Sequence, residues 1–395
     1  MTNQTADVVI VGGGVIGTSI AMHLAMIGSG RVVLVEQGHL ASGASGLSGA
    51  MVREHYLHPT LVRMSMEARS VFHNFAEVIG GDVRFRNTGR LQLFPEHDEP
   101  AVSANVAMNR DLGVNIEMLT PSEATRVVPQ LDVSGIAVCG YEPDAGYADP
   151  VATTYAYADR ARTLGAEIIT QTPVNELIVS GGRITAVETA DGRIETDTVV
   201  VAAGSRTNRL VGPIAEQLPI TATRVQMAHF FRPPALESMS TIVIDRSTGA
   251  YLREDAGRGA LVGAEGPGDL SEFENPDDIP RNADHEMIES LWRRASMRLP
   301  DFAAAICRGG YSAHYDMTPD GNPIIDQSTN VAGLFYAAGF SGHGFKLSPV
   351  IGRMVAELVL HGECSDHPVE RFRLSRFADG DPLLAEHPYQ GTSHQ

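Results

Sequence analysis

The stretch Asp7-Val-Val-Ile-Val-Gly-Gly-Gly-Val-Ile-Gly17 decides the fold. Val8 to Val11 reads as a buried parallel strand, Val15 to Ile27 as an amphipathic helix stopped by Gly28, and Arg31 to Val35 as a second strand ending at Glu36. Together they form one βαβ unit. Its three spaced glycines have separate tasks. Gly12 permits the tight turn, Gly14 lets the backbone approach a pyrophosphate, and Gly17 allows close helix-to-strand packing. A phosphate placed there meets the helix N-terminus and the positive end of its dipole. Glu36 lies where a carboxylate accepts hydrogen bonds from ribose hydroxyls and disfavours a 2′-phosphate. Strand, helix and acid agree, so the unit predicts a dinucleotide site, with a bare structural βαβ as the alternative.

Outward from this unit, 395 residues with 43% hydrophobic content suffice for a sizeable core and about two domains. A net charge of −18 argues against a polyanion-binding surface, so nucleic acid is not an expected partner. No apolar run reaches the roughly 18 residues of a membrane span. The chain enters Asp7 to Val11 without a basic region or cleavage site, so the expected location is cytoplasmic. Cys139, Cys307 and Cys364 are odd in number and far apart, which predicts neither a disulfide framework nor a metal site.

Two more apolar segments ending in small residues, Asp197 to Gly204 and Gly333 to Gly339, read as strands returning to the first sheet, where small residues let a ligand come close. Between residues 166 and 197, the turns Ser180-Gly181-Gly182-Arg183 and Ala190-Asp191-Gly192-Arg193 separate short strands and predict an inserted β-meander. Residues 83–145 and 223–307 differ in character. They hold expected strands at Arg84 to Phe94 and Ala260 to Gly263, a helix with a capping box at Thr120 and Glu123, and a helix from Asp284 to Leu299. The resulting fold class is α/β with mixed α+β character: a Rossmann-type domain from residues 1–82, 146–222 and 308–377, and a second, substrate domain with a mixed or antiparallel sheet from residues 83–145 and 223–307. Residues 378–395 read as a polar tail, loosely ordered or an interaction arm.

Near the C-terminus Gly339-Phe-Ser-Gly-His-Gly-Phe-Lys346 sets a glycine-rich turn and one lysine ahead of a helix whose start is expected at Ser348 and Pro349. Val350, Ile351, Met354, Val355, Leu358 and Val359 form its apolar face. With the N-terminal fingerprint, Thr172-Pro-Val174 and Met317-Thr-Pro-Asp-Gly-Asn-Pro-Ile-Ile-Asp326, the chain resembles the D-amino acid oxidase family of FAD enzymes over about residues 5–375. Within it, the chain is most similar to the sarcosine oxidase, dimethylglycine dehydrogenase and glycine oxidase group.

The resemblance implies non-covalent FAD. Gly12, Gly14, Val15, Ile16, Gly17, Glu36 and Gln37 would hold pyrophosphate and ribose, Ser42, Gly43, Ala44 and Ser45 the path to the flavin, and Val174 the adenine. Ala203, Gly204, Gly339 and the Gly342, His343, Gly344, Phe345, Lys346 segment would surround the flavin, the last stabilising negative charge on the reduced ring. Arg53 and Lys346 would bind a substrate carboxylate, with Tyr315 and Tyr251 lining that face. The plainer alternatives are a surface residue for Arg53, a helix-start lysine for Lys346 and packing for the two tyrosines. His314 and His343 read as structural or positioning residues first, because an amine that arrives unprotonated needs no base.

The departures bear on the chemistry. Ala313 stands where the monomeric sarcosine oxidases attach FAD through a cysteine, Leu261 where they have an oxygen-activating lysine, and Glu265 where they have a histidine. The expected function is therefore oxidation of the Cα–N bond of a small amino or N-methyl amino acid by hydride transfer to FAD, as a dehydrogenase more than an oxidase. The open alternatives are a 2-hydroxy acid or polyol-phosphate dehydrogenase, and an FAD-bearing subunit of a multi-protein amine dehydrogenase. The expected partners are a small carboxylate substrate, an electron acceptor (oxygen, a redox protein or a quinone), and other subunits in a hetero- or homo-oligomer.

Overall fold

A computed structural model describes residues 4–390. Its described residues include a six-stranded sheet in the order Glu167–Ile169, Val32–Val35, Val8–Val11, Val199–Val201, Leu334–Ala338, Ile324–Gln327. The first five strands run parallel and the last antiparallel. The central strands are buried along their whole length, which is why they read as unbroken Val, Ile and Leu runs. The helix Val15–Ile27 links Val8–Val11 to Val32–Val35 and ends at Gly28 in the left-handed conformation.

One expected element moves. The strand at Glu167–Ile169, read as part of the meander, pairs in parallel with Val32–Val35, because the helix Pro150–Thr163 ahead of it makes the crossover that a parallel strand requires. The meander is Val174–Ser180, Arg183–Thr189 and Arg193–Glu195, with Gln4–Thr5 added in parallel at its edge.

A larger mixed sheet draws strands from two stretches of chain. Arg90–Phe94, Glu117–Leu119 and Val138–Glu142 come from the first; Thr221–Phe231, Ile242–Asp245, Ala250–Glu254, Gly259–Ala264, Ser271–Phe273 and Ile306–Met317 come from the second. The stretches join where Arg90–Phe94 runs parallel to Ile242–Asp245, and the other pairs are antiparallel. Ile306–Met317 pairs along Thr221–Phe231 and so runs across the expected boundary at residue 307. Leu91, Leu93, Val262 and other residues of this sheet pack under the helix His285–Arg298 through Leu291 and Ala295. The expected strand from Arg84 is broken at Gly89, whose φ is 70°. Its first part, Arg86–Asn87, pairs with Gly146–Tyr147 instead. The capping box at Thr120 and Glu123 forms with both reciprocal bonds.

The last helix is Gly344–His361, so it starts four residues before Ser348 and carries Pro349 inside it. Proline there supplies no N–H to the Phe345 carbonyl. The early start places Lys346 in the first turn rather than in the loop ahead of it.

The C-terminal stretch is not a loose arm over its described part. Leu383 and Tyr389 are buried, Asn105 donates to the His387 carbonyl at 2.8 Å, and the Gln390 N–H donates to Asp98 at 2.8 Å. Its anchor is Arg376, fully buried, which donates to both oxygens of Asp320 at 2.8 and 2.9 Å and to the carbonyls of Phe372, Arg373 and Asn322. Asp320 also accepts from the Leu383 N–H at 3.0 Å. Removing one partner of a buried pair strands the other charge at a cost of about 3–5 kcal/mol. Arg376→Ala is therefore expected to lower the urea midpoint by that much stability and to make the chain beyond residue 376 protease-sensitive. A change below about 1 kcal/mol would show that the pair does not anchor the tail.

Candidate functional site

A cavity of about 800 Å³ lies at the carboxyl ends of the parallel strands, where open α/β sheets bind ligands, and the larger sheet forms its far wall. The chain builds the near wall from turns that side chains would block. A Cβ on Gly12, whose φ is 116°, would stand 2.4 Å from the Ala202 carbonyl, and a Cβ on Gly17 would stand 1.9 Å from the Gly12 carbonyl. Of the residues expected at the site, all but Gly17 and Gly339 line the cavity. Those two lie behind its wall: Gly17 seats the helix on the strand, and the Gly339 N–H donates to buried Asp316 at 2.7 Å.

The donor set suits a dinucleotide. The N-termini of Val15–Ile27 and Gly344–His361 both face the cavity, each presenting a positive dipole end. Ser45 Oγ accepts from the Val15 N–H at 3.0 Å, which ties the loop after Glu36 to the helix start. The Glu36 carboxylate accepts from the N–H groups of Gly13 and Gly38 at 2.6 and 2.7 Å, so it is fixed with lone pairs to spare for ribose hydroxyls. No cluster of three or more His, Cys, Asp or Glu among the described residues has the arrangement of a metal site.

At the other end of the cavity stand Arg53 and Lys346. Arg53 donates to the His55 carbonyl and lies 4.2 Å above the Tyr56 ring. Lys346 is only 8% exposed, and its Nζ donates to the Gly342 carbonyl at 3.4 Å. Burial, then the charge of Arg53, hold its amine well below the usual lysine range. A carboxylate bound between the two would offset both effects. Tyr251 and Tyr315 occupy the space that glycines vacate. A Cβ on Gly263 would come within 2.3 Å of the Tyr251 ring, and one on Gly342 within 3.1 Å of the Tyr315 ring. Burial pushes both phenols up, so they stay neutral hydrogen-bonding groups. Ala50 and Ser341, beside Arg53 and Lys346 respectively, sit at φ values of 52° and 50°, a left-handed conformation that costs non-glycine residues and is found at ligand sites.

His343 is buried, and its Nδ1 lies 3.2 Å from the Tyr56 hydroxyl. His314 meets Ser205 Oγ at 3.2 Å, and burial pushes it down to about 4. Ala313 lines the cavity, whereas Leu261 is 1% exposed within an apolar cluster of Met227, Ile244 and Tyr251 and does not line it.

Sequence reasoning missed part of the far wall: Arg90, Gln92, Arg246, His55 and Tyr389. The signal for the first two is the alternation Arg90-Leu91-Gln92-Leu93, with period two, which puts both polar residues on one face of a strand and both leucines in the core. Tyr389, in a polar-looking tail, gives no such signal; its hydroxyl lies 2.7 Å from His55 Nε2.

Comparison with known proteins agrees with this geometry. The chain is 29% identical to FAD-dependent oxidoreductase domain-containing protein 1 of Xenopus laevis, over 96% of this chain and 84% of that one. It is 28% identical to sarcosine oxidase subunit beta of Arthrobacter sp., over 99% and 95% of the two chains. Among solved structures, L-proline dehydrogenase from P. horikoshii superposes with a TM-score of 0.88 at 28% identity, covering 96% of this chain and all of that one. The family model described as FAD dependent oxidoreductase (DAO) matches residues 7–358, and the chain belongs to that FAD-binding family.

Proposed function

We propose that the protein oxidises the Cα–N bond of a small secondary or N-methylated amino acid, giving an imine that water hydrolyses. FAD, when bound, supplies the acceptor for the hydride that leaves the α-carbon. The observation that carries the reading is the pair Arg53, half-buried, and Lys346, buried, which line the same cavity and suit a carboxylate held by a planar fork and a point charge. Arg53 and Lys346 fix the acid end, Tyr251 and Tyr315 line the path, and the buried surroundings keep water from the reacting carbon. A sarcosine oxidase subunit and an L-proline dehydrogenase among the similar proteins support a secondary amine as substrate. The flavin is held without a covalent bond, since Ala313 offers no thiol. The acceptor is a dye-like or protein partner more than oxygen, since Leu261 places no cation by the flavin.

Loss of the guanidinium in Arg53→Ala is expected to weaken carboxylate substrates on the order of 10- to 150-fold, with flavin content unchanged. Steady-state kinetics, with flavin released into the supernatant by acid precipitation, test both parts. An unaltered Michaelis constant removes Arg53 from the site, and yellow colour in the pellet refutes non-covalent binding.

The substrate nitrogen must lose its proton before its lone pair can help expel the hydride, so the flavin-reduction rate is expected to rise with pH through the ammonium pKa. Rapid-mixing reduction under anaerobic conditions measures it. A rate flat from pH 6 to about 10, with hydroxy acids faster than amines, would favour the hydroxy acid reading.

Reoxidation of the reduced enzyme by air is expected to be slower than its reduction by substrate, and a phenazine or quinone dye to restore turnover. Stopped-flow mixing with oxygenated buffer decides it, because reoxidation as fast as reduction would make the protein an oxidase.

A further inference from the structure

Arg53 rests on a side chain that the cavity itself does not reveal. Its guanidinium lies 4.2 Å from the centroid of the Tyr56 ring, within the distance at which a ring face attracts a cation. Tyr56 has no exposed surface and does not line the cavity, although Arg53, His55 and Leu57 around it do. The ring is held at both ends. Asn109, fully buried, accepts from the Tyr56 N–H at 3.4 Å and donates to the Tyr56 carbonyl at 2.8 Å. At the other end the Tyr56 hydroxyl lies 3.2 Å from His343 Nδ1, and the two ring centroids are 5.4 Å apart. Burial pushes the phenol up to about 12, so the hydroxyl keeps its proton. His343 immediately precedes the helix Gly344–His361, whose first turn carries Lys346. One buried side chain therefore touches both the arginine and the turn that leads to the lysine.

A ring suits this place better than an acid. A carboxylate beneath Arg53 would neutralise it and compete with an arriving anion. A stacked ring orients the guanidinium through its face, leaves the charge in place and uses none of the edge N–H groups through which a guanidinium grips a carboxylate. The buried acid near Tyr56, Glu142, is engaged instead by Arg90 and by the N–H groups of Glu54 and His55. We propose that Tyr56 is a positioning residue for the substrate carboxylate: its ring, fixed through its hydroxyl to His343, sets the plane of the Arg53 guanidinium. Tyr56 lies behind the cavity wall, so it acts through Arg53. The proposal rests on the reading of Arg53 and Lys346 as the carboxylate clamp.

Propionate, titrated against the flavin absorbance of the purified holoenzyme, reads the clamp without turnover. Tyr56→Phe keeps a ring under Arg53, whereas Tyr56→Leu removes it. From the first variant to the second, propionate binding is expected to weaken about 3- to 30-fold. In an Arg53→Ala background the same step is expected to shrink below about twofold, because a loss that passes through Arg53 cannot be taken twice. A merely structural role gives an equal step in both backgrounds, and that result, or no step in either, overturns the proposal. Where Tyr56→Leu does not fold, phenylalanines of increasing ring fluorination at position 56 keep the shape and drain negative charge from the ring face. Propionate affinity is then expected to fall along the series when Arg53 is present and to stay level in Arg53→Ala; a level series with Arg53 present overturns the proposal. Arg53→Ala alone separates the two readings. If it binds propionate as tightly as the wild type, the clamp itself fails and Tyr56 with it; if it weakens propionate while the ring step is unchanged, the clamp stands and only the role of Tyr56 is refuted.

Discussion

The close contact between the first and last helices governs how this chain makes a site. A Cβ on Gly352 would stand 2.1 Å from Ser19 Oγ, and that hydroxyl donates to the Ser348 carbonyl at 2.7 Å. The helices Val15–Ile27 and Gly344–His361 are therefore locked together although their sequences lie at opposite ends of the chain. Each helix begins at the cavity. Fixing one against the other fixes two positive helix ends at a set separation, which is what a ligand with a diphosphate at one end and an electron-accepting ring at the other requires. Lys346 inherits its place from the same contact, because it sits in the first turn of the second helix.

Holding cations in such a cavity has a cost that the rest of the fold must cover. Arg90 is buried and offsets its desolvation through Glu142, which in turn accepts from the N–H groups of Glu54 and His55 at 2.8 Å. His55 is pushed down to about 3 by burial and stays neutral, so it adds no further positive charge. Lys346 forms no ion pair with a carboxylate among the described residues, feels Glu265 only at longer range, and gives up proton affinity to its burial. The site thus contains Arg90, whose charge a buried carboxylate offsets, and Lys346, whose burial works against its charge.

Much of this was legible in the sequence, for identifiable reasons. The βαβ unit, the returning strands and the glycine turn at Gly342 are local patterns whose spacing matches helix or strand geometry, and they formed where expected. The strand Glu167–Ile169 was assigned to the wrong sheet because its few residues carry no pairing preference; the helix ahead of it decided the partner. The last helix started early because Pro349 reads as a first-turn residue, whereas packing of the segment from Phe345 to Leu347 into the core outweighs one missing backbone bond. The far wall stayed hidden since Arg246 and Tyr389 meet only through tertiary contact, and nothing in the residues flanking either one encodes the other.

The motifs that carry the family resemblance divide along the same line. The Gly342 to Lys346 turn lines the cavity. Met317 to Asp326 does not touch it through Asp320, whose carboxylate holds Arg376 and the Leu383 N–H and so pins the C-terminal stretch. That stretch delivers Tyr389 to the cavity wall, against His55 and Arg246. Asp316, just ahead of the motif, is pushed up to about 6 by burial and accepts from the Gly339 N–H, while its carbonyl accepts from the Ser341 N–H at 3.1 Å, which sets the turn that Lys346 follows. A sequence motif several residues long can thus shape a cavity without lining it. It constrains two walls at once: the Thr318 N–H donates to Ser341 Oγ at 3.1 Å in the turn before the last helix, and Asp320 holds the chain that leads to Tyr389.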